Sequence, residues 1–262
     1  MSKKLDRLNN LITILKTKNG ASVKELSNIL GVSEMTIRRD LKILNGNNIA
    51  NKVYGATIYN PNNNIEKLES GYNIESECIK HEKEKILIGR AAASLINSND
   101  VIIIDTGTTT VQLAESINPE LKITALIYST NILNTLSNKK NISLIFAGGY
   151  YHSNTNMFES AEGISLISRT RASKVFISAA GIHDTLGVTC SNSYEILTKQ
   201  AAMNSSVEKI LLADSQKFGV VKSSYFADLA DFNTIITDKN ISHEWVNIIK
   251  SRNIKLIIAE DL

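Results

Sequence analysis

A Thr-rich segment in the middle of the chain is the part of the sequence best suited to bind a ligand. The apolar run Val101–Ile104 leads to Asp105, and residues 106–110 then read Thr-Gly-Thr-Thr-Thr before an amphipathic helical pattern. Successive hydroxyls and backbone amides at the start of a helix, beside a Gly that permits close approach, can hold a phosphate group. The sequence therefore predicts a phosphate-binding loop here.

Two other interpretations of this loop remain open. Thr side chains at such a position can serve only as N-caps of the following helix. The string Asp-Thr-Gly-Thr-Thr at 105–109 also resembles the first phosphate loop of actin-like ATPases. That fold places the loop in a β-hairpin and needs a duplicated domain, whereas here a helical pattern follows and only about 150 residues remain. The ATPase interpretation is therefore disfavoured.

Further polar or Gly-containing turns follow later apolar runs. In an open α/β sheet the ligand binds outside the carboxyl ends of the strands, so these turns are the places to look for its other contacts. The candidates are Gly148 and Gly149, the segment 179–182 with Gly181, Glu195 on a predicted helix, and the segment Asp214–Gly219 with Lys217.

Seven apolar, β-branched segments alternate with helical patterns from residue 81 onward and would position these turns. Several are continuous apolar runs, as expected of strands that are covered on both faces in a parallel sheet. The sequence predicts a mostly parallel α/β domain with strands at Val101–Asp105, Ile123–Tyr128, Ile142–Ala147, Lys174–Ser178, Lys209–Asp214, Thr234–Asp238 and Ile254–Ala259.

The first 60 residues have a different pattern. Apolar residues at helical spacing (Leu5, Leu8, Leu11, Ile12, Leu15) predict a first helix, Ser22 to Glu25 fits the capping box of a short second one, and Ser33 can cap a third that runs to about Asn45. Residues 49–58 suit two short strands around Gly55. This order of elements is that of a winged helix-turn-helix.

The charge is distributed unevenly between these two parts. Residues 1–60 contain ten basic and four acidic residues, a net +6, and the whole chain is +3, which leaves −3 for the remainder. A small basic module joined to a slightly acidic body is expected when only one domain meets a polyanion.

The residue string in the N-terminal part resembles the signature of DeoR-type transcriptional regulators. It consists of Arg7, Leu11 and Leu15, followed at the family's interval by Ser33 and by residues 36–41, Thr-Ile-Arg-Arg-Asp-Leu. The later turns, in their order, resemble the effector domain of the same family, which is similar in fold to ribose-5-phosphate isomerase. The likeness covers nearly the whole chain and is strongest at Thr36–Leu41, Asp105–Thr110 and Asp214–Gly219.

The resemblance implies a third helix in the DNA major groove and a wing on the adjacent backbone, in a homodimer or higher oligomer on double-stranded operator DNA. The residues expected to reach bases are Ser33, Met35, Thr36 and Arg39, and those expected at DNA phosphates are Arg38, Lys42 and Lys52, with Ser22 completing the interface. The family wing has an Arg before a His-Gly-Gly-Ala stretch, where this chain reads Lys52-Val53-Tyr54-Gly55-Ala56.

The resemblance also implies a phosphorylated sugar as effector. Thr106, Gly107, Thr108, Thr109 and Thr110, with Asp105 before them, would hold the phosphate, and Gly148, Gly149 and Gly181 would line the pocket. Lys217 would supply positive charge, and Glu195 or Asp214 would bind sugar hydroxyls, because polyols need carboxylate acceptors.

A sugar-phosphate isomerase is the alternative function. The isomerase pattern has an Asp-rich turn where this chain reads Ser178 to Ile182, and a Lys near residues 187–190, where this chain has none. A phosphate pocket without that acid–base chemistry, joined to a DNA-binding head, favours sensing over catalysis. An architectural DNA-binding protein with an inert body would need no phosphate loop.

The predicted boundaries are residues 1–59 for the DNA-binding domain, 60–80 for an Asn-rich linker and 81–262 for the effector domain. No apolar run reaches the roughly 18 residues of a membrane span, and no secretion signal is evident, which predicts a cytoplasmic protein. The two cysteines, Cys78 and Cys190, and the four scattered histidines predict neither a disulfide framework nor a metal site. No cofactor is expected.

Overall fold

The computed structural model describes residues 7, 10–11, 13–15, 21–46, 50–53, 56–59 and 72–260. The chain divides into two compact units, Met1–Gly71 and Tyr72–Leu262.

The first unit has the three helices and the two short strands that the sequence predicts, together with a two-residue strand, Ala21–Ser22, that was not predicted. Its elements are α1 (described at residues 7, 10–11 and 13–15), β1 (Ala21–Ser22), α2 (Val23–Leu30), α3 (Glu34–Gly46), β2 (Ala50–Val53) and β3 (Ala56–Tyr59). The strands form an antiparallel sheet in the order β1-β3-β2. Leu11, Leu15, Leu26, Ile37 and Leu44 form its core. Of the predicted apolar face of α1, Leu5, Leu8 and Ile12 lie outside the described residues, as does Gly55 between β2 and β3.

A buried ion pair joins α1 to α3. Arg7 Nε lies 2.6 Å from Asp40 Oδ2, and Arg7 Nη2 donates to Asp40 Oδ1 at 3.3 Å. Asp40 is only 1% exposed, so its carboxylate depends on this guanidinium for compensation. The pair fixes one side of the helix that is expected to contact DNA.

Replacing Arg7 with Met is expected to destabilise the first unit by about 2–3 kcal/mol, because it leaves a buried carboxylate without its partner. Hydrogen exchange of the α3 amides measures this locally. The double variant Arg7→Met/Asp40→Leu removes both charges and is expected to recover most of the loss. Equal protection in the wild type and the single variant would show that Asp40 does not need Arg7.

A seven-stranded parallel sheet forms the centre of the second unit. Its strands are β4 (Val101–Ile104), β5 (Ile123–Ile127), β6 (Ile142–Phe146), β9 (Ala172–Ser178), β12 (Ser206–Leu212), β14 (Thr234–Asp238) and β15 (Lys255–Ala259). Their order in the sheet is β15-β14-β12-β9-β4-β5-β6, and every neighbouring pair is parallel. Each corresponds to one of the seven predicted segments, so the predicted fold class is confirmed.

Helices cover both faces of this sheet. They are α4 (Ile74–Ile79), α5 (Glu82–Ala93), α6 (Thr108–Ser116), α7 (Thr130–Leu136), α8 (Ala161–Arg169), α9 (Glu195–Asn204) and α10 (His243–Ser251). Side chains alternate between two cores, so that Ile103 packs in one while Ile102 and Ile104 pack in the other. No helix in the described part of the chain is long and apolar enough to cross a membrane.

Two small antiparallel sheets, which the sequence analysis did not predict, flank the parallel one. One is the hairpin β7 (Tyr150–His152) and β8 (Met157–Glu159), and the other has the order β10-β11-β13, with β10 (Gly181–His183), β11 (Gly187–Cys190) and β13 (Ser224–Ala227). All five of these strands have three or four residues, too few to give a readable alternation of apolar and polar positions.

The helix α4 departs from the predicted linker at 60–80. Its first residue, Ile74, is 2% exposed and its amide donates to the Asn154 carbonyl at 2.8 Å, so residues 74–79 belong to the larger unit. Six residues with two acidic side chains carry too little periodicity to be read as a helix. Residues 60–71 lie outside the described part, where the linker remains a prediction.

Helices α5 and α6 cross at backbone contact. A Cβ added at Gly89 in α5 would lie 2.5 Å from the carbonyl carbon of Gln112 in α6. Only a residue without a side chain fits, and this close approach sets the position of the helix that begins with the Thr-rich segment.

Candidate functional site

The predicted phosphate loop lies where β4 ends and α6 begins. Gly107 is the N-cap of α6, and no side chain caps the helix. The amides of the first helical turn have no intrahelical partner and point along the positive end of the helix dipole. The hydroxyls of Thr108 and Thr109 make no hydrogen bond with any described residue, and both side chains line a pocket. They are free to bind a ligand there.

The other two threonines stabilise the loop itself. Thr106 Oγ1 donates to the Thr155 carbonyl at 2.8 Å, and Thr110 Oγ1 donates to the Gly107 carbonyl at 3.0 Å. Thr106 still lines the pocket, whereas Thr110 is fully buried and does not. The predicted phosphate set is therefore divided between residues that face the pocket and residues that hold its shape.

Gly107 is required by close packing. A Cβ at this position would lie 2.5 Å from Ser178 Oγ and 2.7 Å from Ser178 Cβ. Ser178 comes from the end of β9 and donates to the Thr106 carbonyl at 2.7 Å. The loop after β4 thus rests directly on the end of the neighbouring strand.

Asp105 lies behind the loop as a buried hub. Its carboxylate accepts hydrogen bonds from the Tyr128 hydroxyl at 2.7 Å, the Ser178 amide at 2.9 Å and Lys199 Nζ at 2.5 Å. Burial and this carboxylate raise the pKa of Tyr128 well above its ordinary value, so its hydroxyl stays protonated and donates. Asp105 is 0% exposed, and its place is that of a positioning residue, not of an effector contact as the sequence predicts.

Lys199 is a pocket residue that the sequence analysis missed. It is 1% exposed, donates to the Ser178 carbonyl at 3.1 Å, and lies 3.7 Å from Glu195 Oε2, one helical turn before it in α9. Burial lowers the pKa of Lys199, but the two carboxylates of Asp105 and Glu195 raise it by more, so the ammonium stays charged. The available signal was an i, i+4 Glu–Lys pair on a helix that is otherwise largely apolar.

Asp214 and Lys217 approach the pocket from the loop after β12. Asp214 Oδ1 accepts the Gln216 amide at 3.2 Å, while Oδ2 is buried and accepts no hydrogen bond from any described residue. A buried carboxylate oxygen without a donor is costly, and a ligand hydroxyl would satisfy it. Lys217 lies within reach of the same space and contacts Glu77.

The pocket gathers residues from the carboxyl ends of three adjacent strands, β4, β9 and β12. Of the predicted effector residues it brings together Thr106, Gly107, Thr108, Thr109, Glu195, Asp214 and Lys217. It also includes residues that the sequence analysis did not assign, among them Tyr72, Glu77, Thr155, Ser178, Cys190 and Lys199.

Three predicted glycines lie elsewhere. Gly148 and Gly149 follow the edge strand β6, two strands away from β4, and line a separate depression together with Ser160 and Gly163. Gly181 is buried in β10, where its carbonyl accepts the Thr189 hydroxyl at 3.1 Å. Strand order, which the sequence does not give, determines which turns meet.

The third helix of the first unit presents the predicted DNA-contacting residues. Met35 is 71% exposed, and Arg39 is exposed without a hydrogen bond or ion pair to any described residue. Arg38 pairs with Glu34 at 3.1 Å. Ser33 Oγ accepts the Thr36 amide at 3.3 Å, which makes it a helix cap. These side chains form an exposed, partly cationic helix face.

The predicted DNA interface also includes Ser22, Lys42 and Lys52. The Ser22 hydroxyl accepts the Glu25 amide at 3.2 Å and lies 3.3 Å from the Glu25 carboxylate, so the capping box already uses it. Lys42 lies in α3 and Lys52 in β2, but their side chains fall outside the described residues. The interface prediction for these lysines rests on the sequence.

Models of known families match both units. A DeoR C terminal sensor domain model matches residues 80–239, and a DeoR-like helix-turn-helix domain model matches residues 7–62. Similar proteins include the deoxyribose operon repressor of Escherichia coli strain K12, which is 30% identical over 254 residues covering 96% of this chain and 97% of the relative. The lactose phosphotransferase system repressor of Staphylococcus epidermidis is 32% identical over 242 residues, covering 90% and 93%.

Among solved structures, ribose 5-phosphate isomerase A from Methanocaldococcus jannaschii matches with a TM-score of 0.41 and 14% identity over 53% of this chain and 55% of that one.

A helix-turn-helix unit followed by an α/β sensor domain defines a DNA-binding transcriptional regulator that responds to a ligand. The chain belongs to the DeoR family of such regulators, as the sequence resemblance predicted.

Proposed function

We propose that the protein is a repressor of carbohydrate-metabolism genes that binds operator DNA through α3 and the wing and responds to a phosphorylated sugar in the pocket of its second unit. Relatives named as repressors of a deoxyribose operon and of a lactose phosphotransferase system support this function. It requires access to the chromosome, and hence the cytoplasm, and a homodimer or higher oligomer on a two-fold operator.

The observation that carries the proposal is the chemistry collected in one pocket. Unpaired first-turn amides and the hydroxyls of Thr108 and Thr109 offer donors to a phosphate, and Lys217 offers a cation beside the same space. Asp214 Oδ2, which accepts no hydrogen bond within the described part of the chain, offers an acceptor to a sugar hydroxyl. Donors for an anion and an acceptor for a polyol in one site fit a sugar phosphate.

Glu195 has a more limited role in this proposal. Its Oε1 already accepts the Asn192 amide at 3.1 Å and Asn192 Nδ2 at 2.9 Å. Burial raises the pKa of Glu195, although Lys199 and these hydrogen bonds act in the opposite direction. We assign it to holding Lys199 and the pocket wall, with Asp214 as the main hydroxyl acceptor.

Two pocket residues are unavailable as general bases for an isomerase. Lys199 is kept charged by two carboxylates and cannot accept a proton. Burial raises the pKa of the Cys190 thiol to about 12, so a thiolate is not available as a base or nucleophile. The discriminating measurement is turnover: purified protein should convert no pentose phosphate to its isomer.

A screen of sugar phosphates by thermal shift tests the function directly, because a ligand that binds only the folded state raises its stability. Each compound that stabilises the protein is then added to an operator-binding assay. We expect one phosphorylated sugar both to raise Tm and to change operator affinity, while its unphosphorylated form does neither. A response to the unphosphorylated sugar alone would contradict the proposal.

Arg39→Ala is expected to weaken operator binding, because Arg39 is exposed on α3 and its cation pairs with none of the residues that the structure describes. Loss of a base contact costs about 1–3 kcal/mol and relaxes the preference at one operator position, whereas loss of a phosphate contact lowers the salt slope by about one. The same reasoning predicts a reduced slope for Lys52→Ala.

Operator affinity measured over a range of salt concentrations separates these two effects. The matched control is Arg171→Ala, which removes one exposed positive charge from the second unit. Equal loss of affinity in Arg39→Ala and Arg171→Ala would indicate a general charge effect and would remove Arg39 from the interface.

A further inference from the structure

Lys217, the cation assigned above to the effector phosphate, is already paired within the protein. Its Nζ lies 3.3 Å from Glu77 Oε2. Both side chains line the pocket, and both are about four-fifths buried, with 23% and 21% of the side chain exposed. In this structure the Glu77 carboxylate is paired with the Lys217 ammonium that a ligand phosphate would need.

The backbone of α4 presents Glu77 at a fixed place. The buried Lys85 donates from Nζ to the Glu77 carbonyl at 2.5 Å, and Ile74 anchors the start of the helix. Lys80 lies 3.1 Å from Glu77 Oε1. Burial raises the pKa of Glu77, but Lys217 and Lys80 lower it by more, so the group is an anion.

We infer that Glu77 is an internal competitor for Lys217, and that a ligand phosphate binds by displacing its carboxylate and thereby loosening α4. The inference rests on the sugar-phosphate pocket proposed above. A phosphate dianion carries up to two charges and three acceptor oxygens, against one charge on Glu77, so it pairs more strongly with the same ammonium. Glu77 then loses the contact that links α4 to the loop after β12.

This arrangement makes Glu77 an affinity-setting residue of the pocket. Every phosphate ligand must break the Glu77–Lys217 pair before it gains Lys217, which weakens its apparent affinity by the strength of that pair. The position is notable because α4 begins three residues after Gly71, the last residue of the first unit. The segment freed by the ligand is therefore the first helix beyond the junction of the two units.

The test uses the full-length protein and inorganic phosphate as the probe. Glu77→Gln keeps the size and the backbone carbonyl of Glu77 but removes its charge. We expect its Kd for phosphate, measured by calorimetry, to fall about fivefold relative to the wild type, the upper end of the range for an ion pair that solvent still reaches. Glu82→Gln in α5 changes the net charge equally at an exposed position and should match the wild type.

Amide hydrogen exchange over residues 74–79 distinguishes displacement from simple charge repulsion. Adding phosphate should speed exchange of these amides in the wild type, and Glu77→Gln should exchange fast with or without phosphate. If Glu77→Gln folds poorly, Glu77→Asp shortens the side chain by one methylene and should give an intermediate Kd.

Two results would overturn the inference. Equal phosphate affinity in the wild type and Glu77→Gln, or unchanged exchange over 74–79 when phosphate binds the wild type, would remove Glu77 as a competitor while leaving the phosphate pocket intact. Absence of phosphate binding in all variants would overturn the pocket and the inference together.

Discussion

Replacing Thr109 with Glu is expected to lower effector affinity roughly thousandfold while leaving operator binding intact. The side chain of Thr109 is 5% exposed and faces the pocket at the N-terminus of α6. Two like unit charges about 4 Å apart repel by about 4 kcal/mol at an effective dielectric constant near 20, and each 1.4 kcal/mol is a factor of about ten in affinity. An effector shifts an equilibrium only through its differential affinity for two states, so the variant should remain in its ligand-free state.

Thr109→Gln is the matched control, because it has the size of Glu without the charge. We expect Gln to weaken effector binding far less than Glu, with both variants binding operator like the wild type. The effector and the operator are each titrated into all three proteins. An effector midpoint that is the same in Thr109→Glu as in the wild type would show that the phosphate binds elsewhere.

Lys199→Met is expected to destabilise the second unit by about 3–5 kcal/mol, since it leaves the buried carboxylate of Asp105 without its cation. The ammonium also bonds the Ser178 carbonyl, so the support of the phosphate loop is lost with it. Tryptophan fluorescence during denaturant unfolding measures this loss of stability, because Trp245, the single tryptophan of the chain, lies in α10 of this unit.

The double variant Lys199→Met/Asp105→Asn tests the cause of that loss. Asn keeps an oxygen for the Tyr128 hydroxyl and has no charge to compensate, so the double variant should be more stable than Lys199→Met alone. Such a result assigns the cost to an unpaired buried charge. If the double variant were the less stable of the two, the lysine would act mainly through its packing against Phe226, whose ring centroid is 5.3 Å from Nζ.

The parallel sheet could be read from the sequence because its strands are buried on both faces. Several, such as Val101–Ile104, are continuous apolar runs bounded by polar turns, and this signal is local. The helix-turn-helix was equally accessible, since capping residues such as Ser22 and Ser33 mark where its helices begin. The candidate ligand loop after β4 was predicted from the general rule for open α/β sheets.

The rest of the site depends on contacts between distant residues. Lys199 lies 94 positions from Asp105, and Glu77 lies 140 positions from Lys217. Neither pairing leaves a periodic pattern, and a charged residue on a helix is usually solvated. Gly148 and Gly149 were assigned to the pocket because they follow a strand, and only the order of strands in the sheet shows that this strand is at the edge.

The backbone contact at Gly89 restricts the movement of the proposed ligand loop. Where side chains separate two helices, changes of rotamer let the spacing between them vary; here the spacing is fixed by main-chain atoms, which have no such freedom. The position of helix α6, which presents Thr108 and Thr109, is therefore fixed against α5 at this contact. Any adjustment of the pocket to a ligand must come from its other walls, such as α4, which is held at Glu77 by the Lys85 contact and the Lys217 ion pair and at its start by Ile74.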